Sequence, residues 1–368
     1  MKFTGFEMRR ITLPLVSPFT TSFGTQTERH AIVLRAVSDG ADGWGECVAL
    51  ADPVYSPEYI EGAHHVLSTY LLPRLLAAGD ITAQQVTPLL HGVVGHRMAK
   101  ASVEMAVLDA ELRATDTSLA SYLGATVDRV PSGVSVGIMP TIDDLTHAVG
   151  SYLSDGYQRI KLKIKPGWDV EPVSAVREQF GYSFGLQVDA NTAYTLSDAR
   201  QLKKLDAFDL LLIEQPLGEE DIRQHAELAR MLDTPICLDE SIVSAEAAAD
   251  AIALKATTVI NVKPGRVGGY LEARRIHDIA RANGIAVWCG GMLETGIGRA
   301  ANAALAALPG FTLPGDISAS ARFYETDITE PIVLEDGFIT VPRGPGIGVT
   351  PIAAELDRVT TSTQWITA

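Results

Sequence analysis

The chain has 368 residues, more than one ordinary domain of ~150 residues holds, so two or three domains are expected. Its 30 Lys and Arg against 45 Asp and Glu leave a formal net charge of −15, which argues against nucleic-acid and anionic-membrane partners, both of which need a basic face. Three cysteines (Cys47, Cys237, Cys289) make no disulfide framework or zinc motif, and neither a signal-like leader nor a run of ~18 apolar residues occurs. An acidic, soluble, cytoplasmic protein is expected.

In chain order, Ile32–Val37 is rich in β-branched and apolar residues, and Gly43–Val48 follows across a Gly-Asp turn, which suggests a hairpin or meander. Between Met98 and Leu123, Val103, Ala106, Val107 and Ala110 recur at helical spacing, and Gly124 is a plausible stop. Strands followed by helices make residues 1–125 an α+β domain.

After Pro131 short apolar runs alternate with helical patterns: Gly133–Ile138, Arg159–Ile164, Phe184–Asp189, Leu210–Glu214, Pro235–Asp239, Thr258–Lys263, Ile285–Cys289 and Phe311–Leu313. The first helix opens on the capping box Thr141-Ile-Asp-Asp144 and stops near Gly156. Such alternation predicts a (β/α)8-type barrel over 126–318. Residues 319–368 lack it and are punctuated by Gly337, Pro342, Gly344, Pro345, Gly346 and Gly348. They are expected to return and complete the α+β capping domain.

Three barrel strands end in an acid: Val188-Asp189-Ala190-Asn191, Ile213-Glu214-Gln215-Pro216 and Leu238-Asp239-Glu240-Ser241. The acids are 25 residues apart, one βα unit each. Alternation along a strand puts each at the last inward position, at the C-terminal mouth where barrels keep their chemistry. Three converging carboxylates need a cation, and oxygen-only ligands suit Mg²⁺, with Mn²⁺ or Co²⁺ able to substitute. The plainer reading is that each acid caps a helix.

Only nine lysines occur, and Lys161, Lys163 and Lys165 share one face of the second strand. Lys263 ends the sixth, 24 residues after Asp239. Strands two and six face one another across an eight-stranded mouth, so lysines there flank a ligand. Crowding is expected to depress a lysine's pKa toward the ~7–8 of a general base. Structural ion pairs are the alternative, most of all for Lys161 and Lys165. The last histidine, His277, lies in a helical pattern, so strands five to eight end in none.

Lys-x-Lys on strand two, Asp, Glu and Asp ending strands three to five, and Lys on strand six resemble the muconate-lactonizing subgroup of the enolase superfamily. SVGIM, LQVDANTAYTL, LLIEQPL, ICLDESI, NVKPGRVGGYLEARRIHD and WCGGMLETGIGRAANAALA resemble its o-succinylbenzoate synthase group, which includes the N-acylamino acid racemases. The resemblance spans the chain. It implies Asp189, Glu214 and Asp239 as Mg²⁺ ligands and Lys163 and Lys263 as an acid/base pair, with Lys161 in support. KLKIK also allows Lys165 as the base; spacing to Asp189 and the Pro166-Gly167 that follows favour Lys163.

The implied reaction removes the Cα proton of a carboxylate substrate on one face and returns one on the other, by way of an enediolate. The charge of Arg266 is expected to lower the pKa of Lys263; a surface or helix-start role is the alternative. Phe19, Phe23, Leu50 and Tyr55 are expected to cover the substrate by resemblance, unless they are simply core. Ser135, Asn191, Asn261, Gly291, Met292 and Asp316 sit at or near strand ends, and Cys237 is read as packing. Asp316-Ile-Ser318 lacks the Asp-x-Asp of dipeptide epimerases, and the His–Asp pair of mandelate-racemase-like members is absent. Dehydration to o-succinylbenzoate, muconate cycloisomerisation and a non-catalytic carboxylate-binding barrel stay open. A small-molecule carboxylate is the expected partner, and a homo-oligomer the expected assembly.

Overall fold

The computed structural model describes residues 1–367. Strands β1 (Phe3–Thr21), β2 (Gly24–Ser38) and β3 (Gly43–Cys47) form an antiparallel sheet. The last strand of the chain, β14 (Thr360–Thr367), adds to its other edge in the order β14-β1-β2-β3. The helix Arg97–Ala114 lies directly on this sheet, because Gly45 has no side chain: a Cβ there would sit 2.0 Å from the Ser102 carbonyl oxygen. The helical pattern expected over Met98–Leu123 is broken in two, since Ser118 caps a separate helix Leu119–Leu123 by accepting from Ser121 N. Gly124, at φ 95°, ends it in the left-handed conformation that glycine adopts without penalty.

The strands β4 (Arg129–Pro131), β5 (Gly133–Val136), β6 (Arg159–Lys163), β7 (Gly185–Asp189), β8 (Ile213–Glu214), β9 (Ile236–Leu238), β10 (Val259–Val262) and β11 (Ala286–Cys289) follow. The seven from β5 to β11 form one parallel sheet in sequence order. The eighth strand expected at Phe311–Leu313 is reduced to isolated parallel bridges, Val287 with Phe311 and Ser132 with Gly315. Pro314 has no N–H to donate, so the ladder cannot run through it. Closure is still hydrogen-bonded: Thr312 N donates to Val287 O (3.2 Å), Asp316 N to Cys289 O (2.9 Å) and Gly133 N to Gly315 O (2.8 Å).

The stretch after 318 divides between the two bodies. β12 (Leu334–Glu335) pairs with β13 (Phe338–Thr340), which pairs onto β4, while the helix Ala353–Val359 leads into β14 on the capping sheet. At the barrel mouth the β1–β2 turn comes down onto the strand ends. Thr20 O accepts from Ile138 N (2.8 Å), and Ser22 Oγ donates to Asn191 O (3.1 Å). Among the described residues no helix is long and apolar enough to cross a membrane.

Candidate active site

Asp189 and Glu214 are the last residues of β7 and β8 and stand opposite one another in register. Asp239 follows β9, two residues beyond Cys237, the register partner of Glu214. All three carboxylates are buried. They cap no helix: Thr195, Asp221 and Ser244 occupy those positions after β7, β8 and β9. After two of the strand ends the backbone is left-handed at a non-glycine residue, Asn191 (φ 41°) and Gln215 (φ 38°). Such conformations persist where surrounding bonds hold them. Asn191 N donates to Asp189 Oδ1 (3.0 Å), and Gln215 Oε1 accepts from Asp239 N (2.9 Å) and Ser241 N (3.2 Å). The Gln215 side chain thereby ties the fourth strand end to the fifth.

Cations meet these acids one by one. Lys163 Nζ donates to Asp189 Oδ2 (2.6 Å) and Asn191 Oδ1 (2.7 Å). Lys161, two residues deeper on β6, lies 3.0 Å from Glu214 Oε2, 3.3 Å from Asp189 Oδ2 and 2.5 Å from Asp316 Oδ2, with its ammonium 4.8 Å from the Trp288 ring centroid. Lys263 Nζ reaches Asp239 Oδ2 (2.7 Å) and the Tyr55 hydroxyl (3.1 Å). Arg266 takes the other oxygen of the same carboxylate, Asp239 Oδ1, and also donates to Tyr55 OH (3.3 Å) and Asn261 O (3.0 Å). Lys165 is exposed and bridges to Trp168 in the loop, so of Lys163 and Lys165 it is Lys163 that reaches the mouth.

The electrostatics correct one expectation. Burial alone would lower the pKa of Lys161, but Asp316, Glu214 and Asp189 outweigh it and hold the ammonium above its ordinary range. Burial also works against charge on Lys263; Asp239 and Tyr55 overcome it, and the net shift is well upward. For these two lysines, opposite charges at under 3 Å dominate any crowding. Arg266 does push Lys263 downward as expected, without reversing the sign. Glu214 is raised well above the carboxylate range, first by burial and then by Asp189, and burial followed by Asp239 takes Glu240 to about 8. Asp239 goes the other way, its burial outweighed by Arg266 and Lys263.

One cavity opens onto these groups. Lys161, Lys163, Lys263, Ser135, Asn191, Gly291, Met292 and Asp316 line it from the barrel, and Phe19, Phe23, Leu50 and Tyr55 from the capping domain. Asn261 is not on its wall: it lies behind Glu214, donating to Oε1 (2.7 Å). Cys237 is buried with Leu212, Val259 and Trp288, whose Nε1 donates to its sulfur (3.4 Å). Sequence reasoning missed Gln26, Leu293, Glu294, Arg299 and Phe323 on the cavity wall, and Glu240 and Gln215 behind the strand-end acids. The signal for the last two was adjacency, since each directly follows a strand-end acid.

Residues 144–355 match the model described as enolase C-terminal domain-like, and residues 6–124 that of the mandelate racemase/muconate lactonizing enzyme N-terminal domain. The chain belongs to the enolase superfamily. Over 366 residues this superfamily enzyme is 67% identical to an N-succinylamino acid racemase of Amycolatopsis sp., with 100% of both chains covered. It is 44% identical to an o-succinylbenzoate synthase of Geobacillus kaustophilus, covering 96% of this chain and 94% of the other. A solved enolase-superfamily member from Listeria innocua superposes with a TM-score of 0.95 at 41% identity, covering 100% of this chain and 99% of that one.

Enolase-superfamily enzymes generally use a divalent metal, and the donor chemistry here fits one. As the side chains stand, no three acids among the described residues form a ready-made metal cage, because lysines and Arg266 hold their oxygens. The fit lies in the charge. Glu214 is buried facing Asp189 and Asp239, which disfavour its ionisation, so a hard cation shared by the three carboxylates would offset that repulsion.

Proposed function

We propose that the protein racemises N-acylated amino acids, in particular N-succinyl derivatives, by a two-lysine 1,1-proton transfer, and also has o-succinylbenzoate synthase activity. The observation that carries this reading is that Lys163, on the second strand of the barrel, and Lys263, directly after the sixth, line one cavity. Asp189, Glu214 and Asp239 would hold Mg²⁺, with Mn²⁺ or Co²⁺ able to replace it; the bound ion supplies positive charge that acidifies the Cα–H beside a carboxylate.

The chain's own residues do the rest. Lys163 takes the proton from one face and Lys263 returns one to the other; the roles reverse for the opposite enantiomer. Lys263 must release Asp239 Oδ2 to act as a base, and Arg266 on Oδ1 of the same carboxylate is placed to keep that acid neutralised when it does. Phe19, Phe23, Leu50, Met292 and Phe323 offer an apolar wall suited to a hydrophobic side chain and exclude water. Asp316 is taken up by Arg159 (2.7 Å) and Lys161, which supports an acylated over a free α-amino group.

The dehydration reading has its own support: the raised pKa of Lys263 favours a standing ammonium that stabilises negative charge without delivering a proton. The test is solvent-deuterium exchange at Cα of N-succinyl amino acids with Mg²⁺ present. Lys163→Ala should abolish exchange without inversion for one enantiomer and Lys263→Ala for the other. Exchange of both enantiomers by Lys163→Ala refutes the assignment, and tight binding without exchange by the unaltered protein indicates a non-catalytic barrel.

A further inference from the structure

Lys163 has two partners, and only one of them is an acid. Its ammonium donates to Asn191 Oδ1 at 2.7 Å. An amide can satisfy an ammonium only with its oxygen; turned by 180° it would present an NH₂ to the positive charge. What fixes that choice is on the far side of the amide, where Asn191 Nδ2 donates to Glu240 Oε1 at 2.9 Å. Lys163, Asn191 and Glu240 are each buried, so water has little access to compensate a wrong orientation. The backbone is committed as well, since Asn191 is held at φ 41° by Asp189 Oδ1 on its N–H and Ser22 Oγ on its carbonyl. The remaining freedom of the residue is the side-chain amide. Among the described residues Glu240 Oε2 has no partner, so this carboxylate's one side-chain bond there is the one to Asn191.

We propose that Glu240 is a positioning residue for Lys163: by accepting from Asn191 Nδ2 it locks the amide oxygen onto the Lys163 ammonium and sets where that nitrogen stands at the cavity. The corresponding lysine on the other side is supported differently, with Arg266 rather than an amide behind its partners' side chains. Lys263 is placed by Asp239 and by the Tyr55 hydroxyl from the capping domain. The two faces of the substrate are therefore served by differently built supports, and damage to one should be one-sided. This inference rests on the two-lysine reading.

The experiment compares Glu240→Gln with Glu240→Leu, both uncharged, so that the lost charge beside Asp239 cancels and only the acceptor differs. The readout is Cα exchange in deuterium oxide without inversion, measured separately on the two enantiomers of an N-succinyl amino acid in the Mg²⁺-loaded enzyme. Lys163→Ala identifies which enantiomer reports on Lys163. Glu240→Gln keeps an oxygen toward Asn191 and should retain the ratio of the two exchange rates. Glu240→Leu should lower the Lys163-side rate by roughly 10- to 100-fold, the cost of a misplaced reacting group, relative to the Lys263-side rate. Asn191→Ala removes the same tie from its other end and should give the same one-sided loss if Glu240→Leu does not fold. An equal fall on both sides, or none, overturns the role of Glu240 while leaving the two-lysine reading in place. Failure of Lys163→Ala to silence one enantiomer would instead remove that reading.

Discussion

Lys161→Met is the sharpest test of the electrostatics at the barrel mouth. Methionine keeps the length and the packing against Trp288 but removes a charge in contact with Asp316, Glu214 and Asp189. Two of those acids keep another cation, Asp316 through Arg159 (2.7 Å) and Asp189 through Lys163 (2.6 Å). Among the described residues Glu214 has no other ion pair and retains only the Asn261 amide at 2.7 Å. Glu214, whose ionisation is already disfavoured, then either stays charged without a cation or takes up a proton, so the expected loss is at most about 3 kcal/mol, the lower end for breaking a buried pair. At about 2 °C per kcal/mol for a large chain, the midpoint of thermal unfolding should fall by up to about 6 °C in the presence of a chelator. Magnesium should close part of that gap, because a cation held by Asp189, Glu214 and Asp239 supplies charge where Lys161 supplied it. Saturation at ~100 times the dissociation constant is worth about 2.7 kcal/mol to the parent, and more to the variant. Calorimetry of both proteins with chelator and with magnesium decides it. A gap below about 1 °C, or one that magnesium leaves unchanged, would refute the reasoning that Glu214 depends on Lys161 and shares a metal with its neighbours.

Two buried glutamates of the capping domain should make stability fall with pH. Burial raises Glu46 and Glu104 to about 7 from the ordinary 4.5, although each accepts from backbone N–H groups at the start of a barrel helix, Thr295 and Gly298 for Glu46 and Leu271 for Glu104. A folded-state pKa above the unfolded value means stability that is full below about 4.5 and lost as pH rises through about 7. The upper bound is about 3 kcal/mol per group. Urea unfolding at pH 5 and pH 8 should therefore show a smaller decline for the double variant Glu46→Gln/Glu104→Gln than for the parent; equal declines would discount both groups. Arg266→Gln should lower racemisation by ~10-fold or more beyond its effect on dehydration, since in the proposed mechanism only racemisation needs Lys263 to exchange a proton. Side-by-side assays of the two reactions that fall together would count against that role.

The residues proposed to carry the chemistry were readable because a barrel repeats. Asp189, Glu214, Asp239 and Lys263 recur at one βα period, and Lys161 and Lys163 sit two apart on a strand, so spacing alone points them to one mouth. The supports were not readable by the same rule. Glu240 looks like a bystander to Asp239 until its distance to the Asn191 amide is known, and Trp288 until its ring is seen under Lys161. Both contacts join residues from different staves, and no local pattern encodes which side chains meet across a closed sheet. The eighth strand failed for a local reason, Pro314, which an apolar run does not reveal.

By itself the amino-acid sequence determined the period, the inward face of each strand and the kind of atom each strand end presents, because alternation and turn chemistry are set by near neighbours. Only the tertiary structure decided the signs of the lysine shifts and the division of Asp239 between Lys263 and Arg266. Those depend on burial and on separations of about 3 Å between residues far apart in the chain, where Coulomb energy changes steeply with distance.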